Sequence, residues 1–225
     1  MANAKINEKD AARQENIQET VSKTDKFYQE NKKLIWGVLA AVVVVGLAIL
    51  GYSKFIYQPK CEEAMEQAYT AEQNFQNGEY ELALNGDGNV LGFEQVIADY
   101  GTKAGKAAYL YAGLCELQLG NFEQALSYLK KYNGKDVILA ARAKAAEGDA
   151  YVGLEDYSAA VKCFEAAAAK ADNVFAASYL VKAGLACEAL GDKAGALKCY
   201  KVIEDRYPNS IEGYEIAKYI TRVSE

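Results

Sequence analysis

Five cysteines, at 61, 115, 163, 187 and 199, are the strongest nucleophiles in this sequence. A catalytic thiol needs a neighbouring base, most often histidine. The chain has no histidine. Ser-His-Asp and Cys-His nucleophile systems are therefore excluded, as are histidine-ligated metals. The cysteines form no Cys-x-x-Cys pair, and their odd number leaves at least one thiol free in an oxidising compartment. Gly101-Thr-Lys-Ala-Gly105-Lys106-Ala107 has the glycines and lysine of a phosphate loop. It is one residue short, and it ends in Ala where magnesium needs Ser or Thr. Asn85-x-Asp87-x-Asn89 resembles the start of a calcium loop, but Val90 stands where Gly is needed and Val96 where Glu is needed. That segment reads as a surface loop. Glu62-Glu63 and Glu204-Asp205 read as solvated helix faces. The expectation is a chain with no catalytic residue, no metal and no cofactor, and not an enzyme.

The elements that would carry such residues divide by hydropathy. Leu34 to Tyr52 is a run without charge or proline. Nineteen residues at about 1.5 Å each cover roughly 28 Å, enough to cross a hydrocarbon core. Trp36 and Tyr52 lie near its ends, where amphipathic rings favour the interface. A polar stretch precedes the run and no small-x-small cleavage site follows it, so it reads as an uncleaved signal anchor. Cys61 follows Gln58-Pro59-Lys60, which does not suit lipidation. Lys23, Lys26, Lys32 and Lys33 precede the span, and Lys54 and Lys60 follow it. The bias places the amino terminus in the cytoplasm and the remainder outside. Residues 1–33 carry net charge +1 and the remainder −7. An acidic exported domain lacks the basic footprint of a nucleic-acid or anionic-lipid binder. Residues 1–33, with sparse apolar positions at Ile6, Ile17, Val21 and Phe27-Tyr28, cannot make a core.

From Lys60 onward one pattern returns. Ala71, Gly113, Gly148 and Gly184 hold one phase of a first helix, and Ala83, Ala125, Ala160 and Ala196 one phase of a second. Small residues in register let the two helices of a hairpin approach closely. Tyr80, Phe122 and Tyr157 fill the space beside the turns. Turn signals fall at Asn77-Gly78, Gly101, Gly120-Asn121, Asn133-Gly134, Asp172-Asn173, Gly191-Asp192 and Pro208-Asn209. A period in the mid-thirties means stacked helical hairpins. The first copy carries an insert at Asn85 to Leu91, whose Asn-Gly-Asp-Gly-Asn cannot stay helical. Ile211, Tyr214, Ala217, Ile220 and Val223 predict a last amphipathic helix closing the stack. Cys163 and Cys199 occupy one phase of adjacent hairpins, about 10 Å apart at helix-packing distance, too far for a disulfide. They read as small buried hydrophobes.

Through residues 64–208 these repeats resemble tetratricopeptide repeats. The Gly and Ala phases, the turn aromatics and Pro208 carry the match; Tyr109, Lys144 and Leu180 stand where the consensus tryptophan would be. The fold class is therefore all-α. It comprises a cytoplasmic polar tail (1–33), a transmembrane signal anchor (34–52) and a juxtamembrane segment (53–63). An α-solenoid of about four helical hairpins (64–208) and a capping helix (209–225) follow. The arrangement also resembles the YfgM-type ancillary subunit of the bacterial Sec translocon. Phe27-Tyr28-Gln29-Glu30-Asn31-Lys32 before the span, the single span and the acidic repeat domain carry that likeness. It implies an inner-membrane anchor, a periplasmic repeat domain, and partners among translocon subunits, periplasmic chaperones and exported clients.

Two surfaces are candidates for interaction. Gly37, Ala41, Val44, Ala48 and Gly51 fall on one face of the span, where small residues let helices approach in lipid. On the face lined by first helices, the repeat phase places Phe75, Leu110, Leu114, Leu117, Val152, Val181 and Leu185, with Glu72, Arg142, Asp149 and Lys182 among them. The lysines and asparagines with which some tetratricopeptide domains clamp chaperone C-termini are replaced here by Ala68, Glu72, Leu110 and Leu114. An apolar groove with an acidic surround suits an unfolded or amphipathic segment. The expected function is a non-enzymatic, membrane-anchored scaffold that assists Sec-exported proteins or their chaperones. The alternative is an envelope assembly or cell-division scaffold without a translocon role. A mitochondrial import receptor with cytosolic repeats would need the opposite topology.

Overall fold

The computed structural model describes residues 2–225, with side chains from residue 26 onward. Lys23, Ile6, Ile17 and Val21 of the sequence reading have side chains outside the described residues. Among the described residues every regular element is helical, and the one strand-like pairing is an isolated bridge between Gly86 and Leu91. The chain divides into two compact units, Met1–Gln58 and Pro59–Glu225.

The first unit is helix α1 (Ala2–Tyr52), followed by a π-helical turn, Ser53–Tyr57. Its apolar segment buries nothing: Leu34 is 67% exposed and Val42 66%. In lipid a helix is the form that satisfies every backbone polar group within one segment. Among the described residues this is the one helix long and apolar enough to cross a membrane.

The second unit is a series of hairpins. It comprises α2 (Gln58–Gln76), α3 (Tyr80–Asn85), α4 (Phe93–Tyr100), a 3-10 turn (Gly101–Ala104) and α5 (Gly105–Gln118). Then come α6 (Phe122–Leu129), α7 (Val137–Gly153), α8 (Tyr157–Ala171), α9 (Val174–Ala189), α10 (Lys193–Arg206) and α11 (Ile211–Ser224). The small residues sit at the helix contacts, as their phase requires. Ala83, Ala125, Ala160 and Ala196 are fully buried. A Cβ built at Gly113 would lie 2.7 Å from Leu129 Cγ, at Gly148 2.6 Å from Phe164 Cε1, and at Gly184 closer still to Tyr200 Cε1. Each glycine thus receives a large side chain from the partner helix, and no larger residue fits without movement.

Caps and turns fix the hairpin ends. Asp136, Asp156, Asn173, Asp192 and Ser210 each accept a hydrogen bond from a backbone N–H of the turn they start. Gly78, Gly120 and Gly191 take left-handed φ values of 81°, 82° and 76° at the hairpin turns. In the third hairpin Glu155 holds that place at φ 59°, a conformation L-residues rarely adopt.

The first hairpin departs from the others at its insert. Its second helix is broken into α3 and α4 by residues 86–92. Asp87 Oδ1 accepts from the backbone N–H of Asn89 and of Val90, both at 2.9 Å. Those bonds, Val90's first, hold its carboxyl below the usual range. The acidic side chain that resembled a calcium ligand therefore serves to close a turn. The phosphate-loop look-alike is likewise a 3-10 turn running into α5 at Gly105.

Four apolar clusters follow one another along the stack, each shared between neighbouring helices. Such an array is held by nearest-neighbour contacts. The capping helix forms as expected, with Ile220 and Val223 against the stack, but its first turn departs from the expected stripe. Ile211 and Tyr214 are 83% and 77% exposed. Ile216 and Tyr219 join Ile220 and Val223 on the face toward the stack. Arg222 adds a 2.7 Å ion pair to Glu188 of α9. All five cysteines are free, and all but Cys61 are buried. Burial pushes Cys115 and Cys199 up to about 12, leaving their thiols inert at neutral pH.

The Gly148 contact generates a test. Alanine gains up to about 1 kcal/mol of helix propensity, but overpacking against Phe164 costs about 1–3 kcal/mol. Gly148→Ala should therefore lower the urea midpoint. Adding Phe164→Leu should cost less than the sum of the two single losses, because the substitutions share one contact. Strict additivity would place Gly148 elsewhere in the stack.

Candidate functional site

The stripe on the first unit is geometrically simple. Gly37, Ala41, Val44, Ala48 and Gly51 lie on α1, and a Cβ at Gly37 or Gly51 would meet nothing within 4 Å. Trp36 Nε1 donates to Tyr28 Oη at 3.2 Å, one turn pair back along the same helix.

The first-helix face of the second unit divides the seven predicted groove residues. Leu110 and Leu114 are core, at 2% and 7% exposure. They pack with Leu126 and Leu129 of α6 and with Ala143, Ala146 and Ala150 of α7. This corrects the expectation that both line an open groove. The three alanines on α7 leave room beside α5, and the large leucines fill it. Phe75 is half-buried between Tyr80 and Tyr111, with ring centroids 5.6 Å and 5.0 Å away. Leu117 and Val181 are half-buried against their own clusters. Val152 and Leu185 remain open, at 38% and 42%.

Val152 and Leu185 meet at one place. With Asp149, Tyr157, Phe164, Lys182 and Ala186 they line a recess of about 190 Å³ between α7 and α9. Lys182 Nζ donates to both carboxylate oxygens of Asp149 at 2.8 Å, and it stands 5.7 Å from the centre of the Phe164 ring. The side chains of Lys182 and Asp149 are 41% and 34% exposed, so the pair's worth is in fixing α9 against α7 rather than in net stability. It gives an apolar hollow one polar edge. Arg142 is exposed, and burial raises the carboxyl of Glu72 above its ordinary range.

Sequence reasoning named Asp149 and Lys182 but not their pairing. Their 33-residue separation, near the repeat length, was the available signal. It missed Gly153, where a Cβ would lie 2.5 Å from Phe122 Cε1, so Phe122 fills a contact between hairpins as well as its turn. It also missed the network on Glu188. Tyr200 Oη and Arg222 both donate to that carboxylate. Burial opposes its ionisation, but Arg222 and Tyr200 outweigh burial and hold it below the usual carboxylate range.

Another recess, of about 600 Å³, lies at the turn end of the first hairpin, lined by Gly78 to Leu82, Asn85, Gly86 and Leu119. It is open, with both polar and apolar walls. Among the described residues no group of three or more His, Cys, Asp or Glu could hold a metal ion.

Residues 93–136 and 145–211 match the tetratricopeptide repeat family, and the chain contains tetratricopeptide repeats there. The matched segments span α4 to α6 and α7 to α10. No curated protein matches the chain. Tetratricopeptide repeats typically serve as protein-interaction modules.

The division of the face is testable by stability. Leu114→Glu should cost about 3 kcal/mol or more, combining lost packing with a buried charge. Leu185→Glu should stay within about 0.5 kcal/mol of the parent chain. Urea unfolding followed by circular dichroism separates them, and equal losses would return Leu185 to the core.

Proposed function

We propose that this chain is a membrane-anchored scaffold whose repeats hold polypeptide segments on the outer face of a bacterial inner membrane. Tetratricopeptide repeats support the scaffold role. The apolar helix at the amino terminus supports the anchor, and the lysine bias beside it supports a cytoplasmic tail and periplasmic repeats. The observation that carries the binding role is the recess at Val152 and Leu185. It is apolar, half-open, built on two rigid helices, and edged by the Lys182–Asp149 pair. An amphipathic or unfolded segment places one or two apolar side chains in such a hollow and keeps its backbone wet. The resemblance to YfgM-type subunits favours partners at the Sec translocon: exported proteins, or chaperones held beside the channel. The stripe from Gly37 to Gly51 is the proposed contact with a membrane subunit, since small residues permit close approach in lipid.

The scaffold reading predicts a tenfold or greater loss of apolar peptide binding in Leu185→Glu, about 1.4 kcal/mol, with the fold intact. Fluorescence anisotropy with a labelled amphipathic peptide measures it, and unchanged affinity would remove the recess from function. In the same strain, copurification in mild detergent should recover Sec subunits with the parent chain. Gly37→Leu with Ala41→Leu should reduce that recovery, and Val38→Leu with Val42→Leu should not. Recovery of division or outer-membrane assembly proteins instead would favour the other scaffold role. For topology, protease added to spheroplasts should digest residues beyond Lys54. A protected repeat domain would reverse the orientation.

A further inference from the structure

We propose that Cys187 and Cys199 close a disulfide that staples the last regular hairpin, α9 to α10; the inference rests on the periplasmic placement of the repeats proposed above. The hairpin phase brings the two together. Cys187 lies three residues after Gly184 on the first helix, and Cys199 three after Ala196 on the second. The same places hold Glu116 and Tyr128 in the hairpin of α5 and α6, and Tyr151 and Cys163 in that of α7 and α8. Cysteine stands on both sides in this hairpin and in neither of those. A Cβ built at Gly195 would lie 3.2 Å from Cys187 Sγ. Cys187 therefore points onto the backbone of α10 one turn before Cys199, and residues four apart share a helix face. The two thiols stand within hydrogen-bonding reach of each other.

A disulfide needs Cβ atoms about 3.5–4.5 Å apart, closer than bulky side chains between two helices allow. Around this pair stand Ala183, Gly184, Gly195 and Ala196, which leave no bulk to hold the backbones apart. Thiol–disulfide exchange supplies the chemistry, and the oxidant is a disulfide of the kind an oxidising compartment provides. One cysteine, as thiolate, attacks a sulfur of that disulfide. The oxidant's S–S bond breaks, its other sulfur leaves as a thiolate and takes up a proton, and a mixed disulfide forms. The second cysteine, deprotonated in turn, attacks the protein sulfur of the mixed disulfide and releases the oxidant's remaining thiol. The two cysteines give up two electrons and two protons, and the oxidant disulfide becomes two thiols. Cys187 and Cys199 are each 3% exposed in the folded hairpin. Exchange therefore runs while the hairpin forms, and the closed bond is then shielded from reductant. The staple ties α10 to the helix that carries Lys182 and Leu185, behind the recess.

The test counts thiols in the full chain. Cells are quenched in acid, and the denatured chain is labelled with a maleimide polymer that shifts its mobility once per free thiol. Three of the five cysteines should label before reduction and all five after it. Trypsin places the two cysteines in separate peptides, 183–193 and 199–201, so a linked product of those two identifies the bond. Cys199→Ser should leave four cysteines, all labelled without reductant. A second arm unfolds the purified chain in urea and refolds it in detergent with oxidised glutathione, where the same linked product should form. Refolding that leaves both thiols free, or that links either one to another cysteine, overturns the proposal. Protease added to spheroplasts reads the placement separately. Repeats digested from outside, with all five thiols labelled in cells, also overturn the proposal. Protected repeats with free thiols in cells, and a pair that closes on refolding, overturn only the periplasmic placement.

Discussion

Each regular hairpin of the repeat unit depends on one close approach: a first-helix glycine admits a large side chain of the second helix. Leu129 on Gly113, Phe164 on Gly148 and Tyr200 on Gly184 are three versions of it. The glycine gives up helix propensity of about 1 kcal/mol, and the close-packed contact more than offsets that. Fixing this distance also fixes where the remaining faces of each first helix point. One flank meets the next hairpin, and another is left to solvent.

The solvent flank is uneven because neighbours differ in size. Beside α5, the alanines of α7 draw in Leu110 and Leu114, and the face closes. Between α7 and α9 the neighbouring groups are Asp149 and Lys182, which prefer to stay hydrated and paired. Val152 and Leu185 therefore stay open beside them. The first-helix face is thus closed beside α5 and keeps a recess between α7 and α9. The network of Tyr200, Arg222 and Glu188 ties α9, α10 and α11 together, so the recess is backed by a capped end rather than by a fraying one.

Much of this was legible in the sequence. Small residues recurring at one phase reveal which helix faces touch, because only steric need places glycine repeatedly inside helices. The Asn85–Leu91 insert announced its own break, and Gly86 ends α3 there. The apolar run needed only composition. Exposure of the first-helix leucines was not legible. Leu114 and Leu185 hold equivalent positions, yet one is buried and the other open. The difference lies in the side chains of the adjacent helix, which the period of one helix does not encode. The capping helix forms where the pattern places it, with Ile220 and Val223 against the stack, but its first turn was misassigned for a similar reason. Ile211 and Tyr214 fit an amphipathic pattern, but the last hairpin selects the Ile216, Tyr219, Ile220 and Val223 stripe.

In the proposed scaffold the recess at Leu185 holds other polypeptides, while the equivalent position 114 in the preceding part of the stack does not. A photoreactive residue placed at 185, and separately at 114, in the membrane-bound chain tests it in living cells. Adducts with other proteins are expected from position 185 and only intrachain products from position 114. Partner adducts from 114, or none from 185 in a folded chain, would contradict it.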